Sequence, residues 1–255
     1  MVVYTFSDAR ILSEMIARIL PAPRFHLEKV DEINESLRLF ESNPIIPVCI
    51  KILSARVNFS GHGLSHAIKV AIDAGAIIFV ERQDAGENDG IERAVGLAHI
   101  AGILHDIERS SNDHARQGAE EARKILREFE LSDKERRAVV DAIGNHEAFQ
   151  PPVPLADPGA QLLSNALYDA DKFRWGPDNF TEMVWDMSET MNTSIENLLD
   201  HFPAGLKSLE RIIDTFRTST GRQYGPDFIA LGLKIGTQLY KELKGKPLRN
   251  SRTQA

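Results

Sequence analysis

The stretch Ile100-Ala101-Gly102-Ile103-Leu104-His105-Asp106 ends an apolar run with a histidine and an aspartate side by side. Its apolar residues predict a helix that is buried in the core. A histidine and a carboxylate that leave a buried helix together lose several kcal/mol of hydration unless they are paired. A divalent cation pairs with both of them. We therefore expect a helical core that is arranged around a metal site.

Helical periodicity also dominates the rest of the chain. No run of alternating apolar residues is long enough to predict a sheet, so the predicted fold class is all-α. The predicted helices lie at about residues 28–42, 45–58, 62–82, 90–106, 113–130, 133–147, 159–174, 178–188, 194–201, 204–218 and 225–244.

Local start and stop signals support these helices. The runs Ser132-Asp133-Lys134-Glu135 and Thr193-Ser194-Ile195-Glu196 both fit a capping box, in which a hydroxyl and a glutamate bind free backbone donors of the first turn. Residues 150–154 read Gln-Pro-Pro-Val-Pro and end the preceding helix, because proline lacks the backbone donor. Residues 218–226 are predicted to form a turn between two helices.

Composition limits the class of protein. The chain has 255 residues, 42% hydrophobic and 26% charged, which is enough for one large domain or two small ones. Cys49 is the only cysteine, which excludes a disulfide framework and a thiolate zinc cluster and suits a reducing compartment. No segment offers the eighteen or so apolar residues of a membrane span, and the N-terminus lacks the basic start of a signal peptide. The net charge of -7 argues against general nucleic-acid binding. We expect a cytoplasmic protein without membrane contact.

Two predicted helices carry polar residues on their apolar faces. His146 shares a helix face with Val139 and is expected to point inward. In the helix near 159–174, Asp169 and Asp171 each align with apolar residues at helical spacing. One of these two carboxylates is expected to be buried, and the pattern leaves the choice between them open.

Further histidines lie at helix starts. His62 and His66 are four residues apart and can face the same way, although His62 is better suited to orient another group than to bind a metal. His114 opens another predicted helix. His99 lies six residues before His105, about 120 degrees round the helix, so we expect it to face elsewhere.

In their order along the chain, these residues resemble the HD-domain superfamily of metal-dependent phosphohydrolases. That family shows a lone histidine, then a His-Asp pair, then a distant aspartate, all on helices around one metal. The matching residues here are His66, His105 with Asp106, and Asp171. The resemblance covers roughly residues 60–175.

The same resemblance implies a second metal and a wider architecture. Members that bind two metals add two histidines between the His-Asp pair and the last aspartate, and here these are His114 and His146. The implied fold is an HD-type helical bundle with extra helices at both ends. The expected organisation is a single domain over 1–255, with its core at about 45–190 and extensions at 1–45 and 190–255.

The activity implied by the resemblance is phosphoester hydrolysis by a metal-activated hydroxide, with the metals polarising the phosphoryl oxygens. Asp106 would bridge two ions, while Lys172 and Arg109 would hold phosphate oxygens. Some nucleotidase relatives carry a catalytic glutamate at the position of Arg109, whereas this chain has Glu108 one place earlier. The expected cofactor is one or two divalent ions of Mn, Fe, Co, Ni, Zn or Mg.

The expected substrate is a small phosphorylated compound, with a nucleotide as the first candidate. The sequence leaves open whether the chain forms a homo-oligomer. Two alternatives stand beside this hypothesis. A di-iron oxygenase of HD type uses the same ligand types to activate oxygen, and a non-catalytic regulator binds metal or nucleotide without turnover. Individual residues also have structural explanations: His114 follows a helix cap, His146 suits a core histidine, and Lys172 and Arg109 suit salt bridges.

Overall fold

The structure is a computed structural model that describes residues 5–56, 61–190 and 193–245, without the side chains of 61, 62 and 190. Within these ranges the chain forms helices joined by turns, and none of the described residues lies in a strand. The predicted all-α class is confirmed. The more specific likeness to an HD-type bundle stays a prediction.

Twelve α-helices are present in the described ranges. They are α1 (Phe6–Arg18), α2 (Arg24–Glu28), α3 (Val30–Ser42), α4 (Ile45–Ser54), α5 (Gly61–Asp84), α6 (Ile91–Leu104), α7 (His114–Ile125), α8 (Asp133–Gly144), α9 (Pro158–Phe173), α10 (Val184–Thr190), α11 (Ile195–Ile212) and α12 (Ser219–Lys244). Short 3-10 turns follow α7 and α11, and a π-helical turn, Asn179–Met183, precedes α10.

The chain divides into two compact units. The core unit comprises Phe25–Lys172 and Thr215–Gly225, and the terminal unit comprises the described residues of Met1–Arg24, Phe173–Asp214 and Pro226–Ala255. The prediction of a single domain with an HD-type core at about 45–190 stays a prediction.

Helices α5 and α6 form the centre of the core unit. Helix α5 packs against α3, α4 and α6, and α6 also contacts α8. Gly102 makes the α5–α6 contact possible, because a Cβ atom at this position would lie 2.7 Å from the backbone nitrogen of Ala71. The closely packed end of α6 leads directly into His105 and Asp106.

A buried polar contact joins α3, α5 and α6. The Ser36 hydroxyl donates to the carbonyl of Ile72 at 2.8 Å, so its oxygen accepts from His99 Nε2 at 2.9 Å. Gly75 lies against this pair, since a Cβ there would be 2.5 Å from His99 Nε2. Burial lowers the pKa of His99 from 6.5 to about 3, so this imidazole is neutral in the folded protein.

By length and composition alone, one helix among the described residues, Gly63–Asp84, is apolar enough to cross a membrane. Lys69 and Asp73 interrupt its apolar run. The burial of 61% of its most apolar window inside the protein is typical of a core helix, so the helix is weak evidence for a membrane span.

The terminal unit has an aromatic core. The Trp185 ring is buried, and its Nε1 donates to the carbonyl of Phe180 at 2.6 Å and to Ser13 Oγ at 3.2 Å. Phe173 and Phe228 stack with their ring centroids 4.2 Å apart. Helix α1 contributes Ser13 to this core, although the sequence analysis predicts no helix before residue 28.

Two predicted helix breaks are wrong. Helix α11 continues through Pro203, because its buried face extends on both sides of the proline from Leu199 to Leu209. Helix α12 begins at Ser219 and continues through Pro226, so residues 219–226 belong to a helix and not to a turn. Hydrogen bonds to Asp169 and Glu81 stabilise the start of α12. They outweigh the free energy that a proline costs inside a helix.

One predicted capping box is confirmed and the other is displaced. Ser132 Oγ accepts from the backbone N–H of Glu135, and the Glu135 carboxylate accepts from the backbone N–H of Ser132. At α11 the capping residue is Ser194, one position later than predicted, and its hydroxyl accepts from the backbone N–H of Asn197.

The contact at Gly102 predicts a sharp cost for one added methyl group. Gly102→Ala should lower the free energy of unfolding by about 1–3 kcal/mol, because α6 must move away from the backbone of α5. Gly144→Ala in the same unit is the matched control, since its added Cβ would meet Ala119 at an ordinary 3.8 Å. Denaturant unfolding measures both, and an equal effect of the two substitutions would contradict the close contact.

The burial of His99 predicts a pH dependence of stability. The unfolded chain takes up a proton near pH 6.5, whereas the folded protein resists protonation down to about pH 3. Stability should therefore fall by about 1.4 kcal/mol per pH unit below 6.5 from this group alone. His99→Gln keeps a donor for Ser36 and should remove this component of the slope. An unchanged slope in urea titrations between pH 7 and pH 5 would argue against a buried neutral His99.

Candidate metal centre

Six predicted ligands converge within the core unit. His66 lies in α5, His105 and Asp106 directly follow α6, and His114 is the first residue of α7. The remaining two follow or belong to later helices. These are His146, two residues after α8, and Asp171 in α9.

His66, His105 and Asp171 form one group that can hold a metal ion. His66 Nε2 lies 3.2 Å from His105 Nε2 and 3.3 Å from Asp171 Oδ1. His105 Nε2 is 3.8 Å from the same carboxylate oxygen. Their ligand atoms all lie within 4.8 Å of one another, which is close enough for a single cation to contact all three.

Asp106 stands between two sets of histidines. Its Oδ2 atom lies 3.4 Å from His105 Nε2 and 3.9 Å from His66 Nε2. Its Oδ1 atom lies 3.4 Å from His146 Nε2 and 3.8 Å from His114 Nε2. The two oxygens of the Asp106 carboxylate therefore face different imidazoles. His105, Asp106 and His146 form the second group that can hold a metal ion.

Backbone carbonyls orient two of the imidazoles. His105 Nδ1 lies 2.8 Å from the carbonyl of Gly102, and His146 Nδ1 lies 2.6 Å from the carbonyl of Ile143. A carbonyl only accepts, so both Nδ1 atoms donate a hydrogen bond and both Nε2 atoms face the centre. His146 Nε2 is buried and has no hydrogen-bond partner in the described part of the chain. A cation at this point would satisfy it.

The electrostatics keep the carboxylates ionised. Burial opposes ionisation of Asp106, but His105 and Arg109 hold its pKa well below the ordinary value. Burial likewise opposes ionisation of Asp171, but Lys172 and His66 hold its pKa well below the usual range. Both carboxylates are therefore available as anionic ligands at neutral pH.

The histidine pKa values move in opposite directions. Burial disfavours the charged form of His105, yet the charges of Asp106 and Asp171 raise its pKa. Burial lowers the pKa of His114 and outweighs the opposing effect of the Asp106 charge.

Cationic side chains contact both ligand carboxylates. Arg109 Nη1 donates to the two oxygens of Asp106 at 3.1 and 3.3 Å, and the Arg109 side chain is 50% exposed. Lys172 Nζ donates to Asp171 Oδ2 and is almost fully buried. Both residues therefore make ion pairs with the centre, as their structural explanation requires, and both remain close enough to contact a ligand bound there.

Glu108 does not belong to this cluster. Its carboxylate accepts from Arg56 Nη1 at 3.1 Å. It is therefore engaged in an ion pair and does not replace the glutamate that some nucleotidases carry at the position of Arg109.

The choice between Asp169 and Asp171 is decided by tertiary contacts. Asp169 Oδ1 accepts from the backbone N–H of Arg217 at 2.8 Å, and its Oδ2 accepts from the N–H and the hydroxyl of Thr218, both at 2.7 Å. Gly221 leaves room for this carboxylate, because a Cβ there would collide with Asp169 Oδ2. Asp169 thus anchors the start of α12, while Asp171 lies among the histidines.

Asn145 is a structural residue of the centre that the sequence analysis misses. Its Nδ2 donates to the carbonyl of Val153 at 2.9 Å and to Ser164 Oγ at 3.2 Å, and its Oδ1 accepts from the Val153 N–H at 2.9 Å. These contacts hold the proline-rich loop against the end of α8 and fix the position of Asn145, which directly precedes His146. Its position at the C-terminus of a predicted helix is the only sequence signal that marks it.

Two further histidines, His99 and His62, are not among the predicted ligands. His99 contacts Ser36 and the ring of Phe40, away from the six ligands. The side chain of His62 lies outside the described residues.

Comparison with known proteins gives no further identification: no family model, curated protein or solved structure matches the chain. The chemistry of the centre therefore follows from its own residues. Buried histidines and aspartates are grouped so that they can hold a metal ion.

The contrast between the two aspartates predicts different consequences of the same substitution. Asp171→Asn should lower the metal content per chain and weaken binding by about tenfold or more, because it removes an anionic ligand. Asp169→Asn should keep the metal content but reduce stability by about 1–3 kcal/mol, because one of the donors at the start of α12 loses its acceptor.

Metal analysis by mass spectrometry and urea unfolding, carried out on both variants, check this pair of expectations. A loss of metal from Asp169→Asn with none from Asp171→Asn would reverse the assignment of ligand and anchor.

Proposed function

We propose that this protein is a metal-dependent phosphohydrolase that cleaves a phosphoester of a small phosphorylated compound, with a nucleotide as the first candidate. The observation that carries the proposal is the position of Asp106. One of its oxygens faces His66 and His105, and the other faces His114 and His146. This is the arrangement expected of a carboxylate that bridges two ions.

The residues fit divalent cations in their chemistry as well as in their positions. Four imidazoles and two ionised carboxylates, without a thiolate, suit Mn, Fe, Co, Ni, Zn or Mg. His66, His105 and Asp171 would hold one ion, and His114 with His146 would hold the second. When bound, such ions act as Lewis acids toward a phosphoryl oxygen and increase the acidity of a water molecule.

The protein side chains contribute positioning and charge. Burial of His105, Asp106, His146 and Asp171 excludes bulk water from the ligand set and strengthens electrostatic interactions there. Arg109 uses only Nη1 for its described contacts with Asp106. The other donors of its half-exposed guanidinium are therefore suited to bind a phosphate oxygen of the substrate.

The same ligand set is compatible with two other activities. Two irons would support oxygen activation, and a bound metal without turnover would support a regulatory role. The identity of the metal separates the first alternative from the proposal, and turnover separates the second.

The test combines metal analysis with an activity screen. Protein purified without added metal or chelator should contain one or two ions per chain and should release inorganic phosphate from members of a panel of phosphate monoesters and nucleotides. Asp106→Ala should abolish both tight metal binding and activity, because it removes a ligand common to both groups of histidines. Asp200→Ala, at an exposed position of α11, is the control and should change neither.

Specific outcomes would refute the proposal. An Asp106→Ala variant that keeps its metal and its activity would remove the bridging carboxylate from the mechanism. Two irons per chain with oxygen uptake and no phosphate release would favour the oxygenase. Metal binding without turnover of any tested compound would favour the regulator.

A further inference from the structure

Arg217 contacts the residue that precedes His146 and is absent from the predicted ligand set. Its guanidinium carbon is 3.5 Å from the centroid of the Tyr168 ring, which is nearly fully buried. Its Nη1 donates to the carbonyl of Asn145 at 2.8 Å. The ring and the carbonyl together restrict the position of the guanidinium.

The charge of Asp169 acts on the Arg217 guanidinium from beyond ion-pair distance. The side chain is partly buried, yet no carboxylate lies within ion-pair distance of its guanidinium in the described ranges. The nearby Asp169 carboxylate is occupied by the backbone of Arg217 and by Thr218. Burial lowers the pKa of the Arg217 guanidinium below its ordinary value. A partly buried cation without a close anion is favourably placed to receive an anionic ligand.

Two links connect Arg217 to the proposed metal site. Asn145, whose carbonyl it binds, directly precedes His146. Lys172 Nζ, which donates to Asp171, lies 5.0 Å from the centroid of the same Tyr168 ring. Lys172 and Arg217 therefore both lie against one aromatic side chain, and Lys172 pairs with a proposed metal ligand.

The start of α12 does not itself provide the anion site. The Thr220 N–H donates to Glu81 Oε1 at 2.6 Å, and the Gly221 N–H donates to Thr218 Oγ1 at 2.7 Å. Because these backbone donors are used within the protein, the side chain of Arg217 is the group that remains for a ligand. Four of its five N–H donors have no partner among the described residues.

We infer that Arg217 forms a second anion subsite beside the metal centre and binds a phosphate group of the substrate other than the one that is hydrolysed. The inference rests on the proposed function and narrows its substrate class to small molecules that carry at least two phosphate groups. A guanidinium suits this role because its planar fork donates two parallel hydrogen bonds to a phosphate, and its stacking on Tyr168 orients that fork.

Calorimetric titrations of the metal-loaded protein with simple organophosphates test the subsite directly. The probes are propyl phosphate, which carries one phosphate, and the bisphosphates of ethane-1,2-, propane-1,3- and butane-1,4-diol, which carry two at increasing separation. The wild-type protein should bind the best-fitting bisphosphate about tenfold or more tightly than propyl phosphate, as expected for charge-assisted hydrogen bonds. Arg217→Gln should remove this preference and leave the dissociation constant of propyl phosphate within about twofold.

Arg222→Gln is the matched control. Arg222 is exposed, lies five residues further along the same segment and carries the same charge, so its loss should leave the preference intact. Arg217→Lys keeps the charge but loses the fork and the stacking, and it should lose about threefold or more of the preference. If Arg217→Gln does not fold, Arg217→Lys alone tests the subsite. An unchanged preference of Arg217→Lys for bisphosphates over propyl phosphate would then overturn the subsite.

The outcomes separate this inference from the proposed function. A wild-type protein that binds metal but no bisphosphate more tightly than propyl phosphate overturns the subsite and leaves the metal centre standing. An equal loss of affinity for both kinds of probe in Arg217→Gln also overturns it, because Arg217 would then act through the position of His146. A protein that binds no metal refutes the proposed function. In that case Arg217-dependent binding of bisphosphates by the metal-free protein still supports the subsite, and its absence overturns it.

Discussion

The ionised carboxylates of Asp106 and Asp171 are buried, and this constraint organises the core unit. An isolated carboxylate in such a place would be strongly destabilising, so each needs cationic or donor neighbours. Arg109 and Lys172 supply one neighbour each, and histidines from separate helices supply the rest. Because the neighbours come from different helices and from the residues that follow them, those segments must converge on one point. The same convergence that neutralises the carboxylates creates a set of ligands for a cation.

Small residues let the helices come close enough for this arrangement. Gly102 has two roles: the absence of a side chain allows α6 to approach Ala71, and its carbonyl accepts a hydrogen bond from His105 Nδ1. Gly221 allows the Asp169 carboxylate to reach the start of α12. Packing and site geometry are therefore coupled, since a methyl group added at either position would displace a helix that carries or adjoins a ligand.

Residues far along the chain complete the surroundings of the centre. The segment Thr215–Gly225 belongs to the core unit, where Asp169 and Glu81 bind the first donors of α12. Arg217 in this segment connects to the residue before His146. The segment Thr215–Gly225 thus contacts the elements that carry the ligands. It also supplies Arg217, the cation to which we assign the second anion subsite.

The all-α class follows from the sequence alone, because helical periodicity arises from contacts three or four residues apart. His146 is buried as predicted, although it lies two residues beyond the end of α8 and not on a helix face. Contacts between distant segments place Asp171 and not Asp169 among the histidines, and they bring Arg217 to Asn145. The continuation of α12 through Pro226 is likewise not visible in the local sequence pattern. Asp169 and Asp171 have equivalent local patterns, and what separates them is a contact with residues nearly fifty positions later. Periodicity records which way a side chain faces, but the partner that it meets depends on how distant helices pack.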